Sequence, residues 1–69
     1  MGTVMVSVNG ESRRVAAGST VADLLSALRV DRQAAAVMLN GGVVQRIRHH
    51  ETLLKENDRV DILTFAGGG

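Results

Sequence analysis

The 69-residue chain has no cysteine, no proline, no tryptophan and no tyrosine. Without cysteine it forms no disulfide, holds no thiolate-bound metal and offers no catalytic thiol. Phe65 is its only aromatic side chain, which argues against a platform on which successive bases stack. Charge of either sign is scarce in net terms. Eight Lys and Arg oppose seven Asp and Glu, for a formal charge of +1. Such an interspersed balance gives no electrostatic footprint for nucleic acid or an anionic membrane. No apolar run approaches the roughly 18 residues that cross a bilayer. The N-terminus lacks the basic region and long apolar core of a secretory signal. Met1-Gly2 opens like a myristoylation motif, but Val6 stands where Ser or Thr is required. One soluble, cytoplasmic domain is expected. Its core is small, since a chain of this length buries only about 60% of its unfolded surface.

What is present reads as short alternating elements. Residues Thr3–Val8 set Val4, Val6 and Val8 on one face and Met5 and Ser7 on the other, the period of a half-buried strand. Asn9-Gly10 then signals a hairpin, because both central residues tolerate φ > 0. Residues Glu11–Ala16 return as a more polar strand, with Arg13 and Arg14 suited to a solvated sheet edge. Thr20 followed by Asp23 approximates a capping box. Val21, Leu24, Leu25 and Leu28 fall at i, i+3, i+4 and i+7, one apolar helical stripe ending near Arg29. Residues 34–39 read as a buried strand with Val37 and Leu39 inward. Asn40-Gly41-Gly42 reads as a turn and Val43-Val44 as a short strand. Residues 52–55 suggest a single helical turn carrying Leu53 and Leu54. Residues 59–65 form the last strand, with Val60, Ile62 and either Leu63 or Phe65 in the core. This order predicts an α+β fold, a mixed sheet with one main helix packed on one face. The first and last strands lie parallel at its centre, which is the β-grasp, or ubiquitin-like, architecture. Residues 1–65 form that domain.

The last strand runs straight into Ala66-Gly67-Gly68-Gly69. Residues 66–69 are expected to be a flexible glycine tail. Glycine has no Cβ, so such a tail is slim and free to take φ > 0. It reaches on the order of 13 Å beyond the strand, far enough to thread a narrow partner site and present an α-carboxylate. Glycines at a chain end are equally compatible with ordinary fraying.

Other constellations carry less. His49-His50-Glu51 has a metal-ligating composition, but adjacent side chains diverge and no third or fourth ligand has suitable spacing. A solvated loop is expected there, with no metal. Gly41-Gly42 lacks the Lys-Ser/Thr of a phosphate loop. The serines have no histidine-acid relay in view. No self-contained catalytic site is legible, so no catalytic residue is assigned.

Taken in order, several segments resemble the ThiS/MoaD family of ubiquitin-like sulfur carriers. They are Ala17-Gly18-Ser19-Thr20-Val21-Ala22-Asp23-Leu24-Leu25, Val37-Met38-Leu39-Asn40-Gly41-Gly42-Val43-Val44, Glu56-Asn57-Asp58-Arg59-Val60-Asp61-Ile62 and the closing glycines. Arg46 matches an arginine often found after the valine-rich strand. Gln45 replaces the family's usual proline, and Asn57 its usual glycine in the last turn. The short connection over residues 30–33 favours the ThiS branch, of thiamine biosynthesis, over the longer MoaD-like chains.

The resemblance implies a protein co-substrate rather than an enzyme. It binds no cofactor. A ThiF-like adenylyltransferase spends ATP on the Gly69 carboxylate, and a sulfur donor such as a cysteine desulfurase relay converts it to a thiocarboxylate. A ThiG-like thiazole synthase receives the sulfur. Gly67 and Gly68 thread the partner active sites, and Arg46 and Phe65 are candidate partner-surface residues. Phe65 is an exposed anchor beside the tail or a core plug, the plug being favoured because an aromatic adds much burial to a small core. Three alternatives stay open: a MoaD-like carrier for molybdopterin or another metabolite, a β-grasp binding module with an idle tail, and conjugation to protein lysines.

Overall fold

Alternating valines build β1 (Thr3–Val8), and left-handed Asn9 (φ 51°) and Gly10 (φ 89°) turn the chain into antiparallel β2 (Glu11–Ala16). The structure is a computed structural model and describes residues 2–65. Helix α1 (Val21–Ala27) begins at the predicted capping box. Thr20 Oγ1 accepts from the Asp23 amide at 3.2 Å, and Asp23 Oδ2 accepts from the Thr20 amide at 2.9 Å. Two further first-turn amides are satisfied from outside the helix: Val21 donates to the Thr52 carbonyl and Ala22 to the His49 carbonyl, each at 2.9 Å. The helix closes at Leu28, and Arg29 takes a left-handed φ of 59°.

A 3-10 turn over Arg32–Ala34 leads into β3 (Ala35–Leu39). A second Asn-Gly turn, Asn40-Gly41, then starts β4 (Gly42–Val44). Another 3-10 turn, Arg46–Arg48, precedes the long connection to β5 (Arg59–Thr64). The sheet order is β2-β1-β5-β3-β4. Strands β1 and β5 are parallel and every other neighbouring pair is antiparallel. This is the expected β-grasp fold, with β2 at an edge and β5 at the centre.

The core lies between the sheet and the helix. Val6, Val8, Val37 and Val60 meet Val21, Leu24 and Leu25, with Leu54 closing one side. Full burial of each such side chain contributes about 1.5–3 kcal/mol.

Two expectations fail. Residues 52–55 are extended, and Leu53 bridges Thr20 in an antiparallel contact. Successive side chains of an extended segment point to opposite sides, so Leu54 is buried and Leu53 is 53% exposed. Leu63 and Phe65 do not enter the core. Val60 and Ile62 hold the helix side of β5, and the period of two leaves Leu63 64% and Phe65 55% exposed on the opposite face.

Candidate functional site

Ala66 and the expected functional end, Gly67, Gly68 and Gly69, lie outside the described residues. The site is therefore built from the strand that leads to them and the face around it. Strand β5 pairs with β3 as far as Thr64, opposite Ala35, and the Phe65 amide donates to the Ala34 carbonyl at 2.8 Å. On its other side the parallel ladder with β1 is short, covering Ser7 with Arg59 and Val8 with Val60. Strands β4 and β5 run the same way on either side of β3. Arg46, just after β4, and Phe65, just after β5, therefore leave the same end of the sheet with β3 between them. Both are exposed.

The sheet face away from the helix carries exposed apolar side chains. Met38 sits between Val43 and Asp61 across the strands, and Ala36 pairs with Leu63. Phe65 extends this row toward the tail. An ion pair along β5, Arg59 Nε to Asp61 Oδ2 at 3.3 Å, borders the patch. Arg14, opposite Met5 on the edge strand, adds a cation to the rim. Together these side chains form an exposed apolar cluster with a polar rim, a composition that suits a protein contact. Met38 and Val43 join this face without having been expected there. The alternation that puts Val37 and Leu39 inward was the available signal for Met38.

The tandem histidines are not a solvated loop. His49 is 1% exposed, because it fills the space between the helix N-terminus and the end of β4. Its Nε2 donates to the Val44 carbonyl at 3.2 Å, leaving Nδ1 buried without a partner. Burial holds the His49 pKa below the usual 6.5, against the opposing hydrogen bond to Val44, and the nearby cations Arg32 and Arg46 and the imidazole of His50 push the same way. His50 instead points outward, its Nε2 2.7 Å from Arg32 Nη1. Glu51 pairs with Arg48 at 3.1 Å. Among the described residues, no three His, Asp or Glu side chains are grouped to hold a metal.

The ThiS family matches residues 6–69, nearly the whole chain and all of its closing glycines. The chain belongs to the ThiS family. A crystal structure of the thiamine biosynthesis protein ThiS from Geobacter metallireducens is 39% identical, with a TM-score of 0.80, over 96% of this chain and 100% of that one. A solution structure of a thiamine biosynthesis protein from the same organism gives 39% identity and a TM-score of 0.79, over 96% and 88% of the two chains. Two longer relatives also match. The thiazole synthase of Paramagnetospirillum magneticum is 36% identical over 62 residues, 90% of this chain and 19% of that protein. The thiazole synthase of Magnetococcus marinus is 34% identical over 64 residues, 93% and 20% of the two. This ThiS-family chain thus spans about a fifth of the length of the curated relatives it matches.

Proposed function

We propose that this ThiS-family chain is a sulfur carrier of thiamine biosynthesis, with the Gly69 α-carboxylate as its loading point. The observation that carries the reading is a family match running through Gly69, behind a central strand that leads directly toward it. A carboxylate is a poor acyl donor, because its charge repels nucleophiles and oxide is a poor leaving group. Activation splits one hard step into two easier ones. A carboxylate oxygen attacks the α-phosphorus of ATP, forming the acyl-adenylate as pyrophosphate leaves. Hydrosulfide, or an equivalent donor, then attacks the acyl carbon. The carbon–sulfur bond forms, AMP departs, and a proton is lost to leave the thiocarboxylate.

In this reading the enzymes supply all catalysis, and ATP belongs to a ThiF-like adenylyltransferase. The domain supplies recognition through Met38, Val43, Leu63 and Phe65, with Arg46 at the tail end of the same sheet. The match to two thiazole synthases supports a ThiG-like enzyme as sulfur acceptor, in preference to a molybdopterin enzyme. The test is an intact-protein mass spectrum after incubation with ATP, an active adenylyltransferase and hydrosulfide. The expected change is one oxygen replaced by one sulfur, localised to Gly69 and absent when Gly69 is deleted. An unchanged mass beside a control carrier that loads normally would overturn the reading in favour of an idle-tail binding module.

A further inference from the structure

Both tight turns of the sheet begin with Asn-Gly, and both asparagines turn their side chains onto the same strand. Asn9 Oδ1 accepts from the Ile62 amide at 2.7 Å, while its Nδ2 donates to the Ile62 carbonyl at 3.1 Å. Asn40 Oδ1 accepts from the Arg59 amide at 2.8 Å, while its Nδ2 donates to Asp58 Oδ1 at 2.9 Å. Asp58, itself buried, accepts the Lys55 amide through Oδ2 at 2.7 Å.

Each contact does something the backbone ladder cannot. At Asn9 the chain turns away from β5, so β1 has no further backbone rung to offer beyond Val60. The Asn9 amide acts as one more strand residue and holds the far edge of β5 at Ile62. At the other end of β5 the need is different. Inward Val60, Ile62 and Thr64 alternate with outward Arg59, Asp61 and Leu63, so a slip of two residues keeps every side chain on its face. Backbone rungs repeat with the same period. The contact between Asn40 and Asp58 does not repeat, so it selects one register. A slip of two residues would move the tail about 7 Å.

We infer that Asn9 and Asn40 are positioning residues, a two-point clamp on β5 that sets where the closing glycines start relative to the face a partner enzyme holds. The inference rests on the carrier reading for its functional consequence. A misplaced carboxylate binds as before, because the recognition face is unchanged, but reacts more slowly.

The experiment uses the full chain and Asn9→Gly, which keeps the left-handed turn and deletes only the amide. Amide exchange at Ile62 should rise roughly tenfold, the loss of one hydrogen bond of ordinary strength. Pyrophosphate release with an active adenylyltransferase should show kcat lower by roughly tenfold or more, with KM within about twofold. Asn40→Gly, which removes the register-selecting contact with Asp58, should raise exchange at the Arg59 amide and show the same split between kcat and KM. Unchanged Ile62 exchange would overturn the clamp. Raised exchange with unchanged kcat, or with KM alone affected, would overturn its positioning role. A wild-type chain that releases no pyrophosphate would overturn the carrier reading itself, an outcome visible before any variant is compared.

Discussion

The His49 imidazole makes one hydrogen bond and is surrounded by groups that resist its protonation. Nε2–H is committed to Val44, so an added proton goes to Nδ1, which is buried and has no acceptor. Burial comes first in lowering its pKa, with Arg32, Arg46 and His50 acting in the same direction. The unfolded chain therefore binds this proton more readily than the folded one. Stability from neutral His49 is complete above the unfolded value of 6.5 and is lost as pH falls through the lower folded value. We predict a melting temperature that falls as the pH drops below about 6.5. His49→Gln, which keeps a donor for Val44 but cannot titrate, should show a shallower slope over that range. Equal slopes would assign the acid sensitivity to other groups. Nothing in the residue order marked this histidine as buried. Arg46 and Arg48 precede it, and one of the surfaces that enclose it, the start of helix α1, is remote in sequence.

Among the elements, helix α1 was the most legible. It depends on local rules, a Thr20 cap and a stripe of Val21, Leu24, Leu25 and Leu28, each within about one turn of the next. Thr20→Ala should cost about 1 kcal/mol, seen as a melting temperature lower by roughly 4–8 °C. A change of less than a degree would mean that the Thr52 and His49 carbonyls alone secure the helix start. The two Asn-Gly turns were equally legible, because φ > 0 restricts the residue choice so strongly. Residues 52–55 were not. An adjacent pair such as Leu53-Leu54 fits a helical turn or an extended segment equally well, and the deciding contact, the bridge to Thr20, joins positions far apart in the chain. The outward turn of Leu63 and Phe65 was obscured for a related reason. Three large apolar residues crowd the end of β5, and only the position of the helix decides which face receives them.

At the scale of the whole molecule, the sheet has one face committed to the core and one that exposes Met38, Val43, Leu63 and Phe65. In the carrier reading, stability and recognition fall on opposite sides of the same strands, so the two should respond separately to mutation. Leu63→Asp should leave the melting temperature within about 2 °C, since a surface change is worth little in stability. The same substitution should raise KM for the adenylyltransferase at least roughly tenfold, because a charge then meets a desolvated contact. An unchanged KM would move the recognition surface elsewhere, toward Arg46 and the 3-10 turn. The fold was legible in the sequence because β-grasp topology follows from the order of its elements. The face was legible only in part, because exposure depends on what the helix leaves uncovered.

The central strand is also the last of the five strands to emerge during synthesis. Strand β1 contacts residues 59 and 60 across more than fifty positions of chain, and β3 has no other route to β1 within the sheet. Until β5 arrives, the ribosome has produced two separate hairpins and a helix with no closed core between them. Contacts so distant in sequence form late. A chain interrupted before β5 is therefore exposed to proteolysis as an open, unfinished product, and the step that completes the core also delivers the segment leading to the glycines. Closing the core and setting the strand that precedes the glycines are a single event.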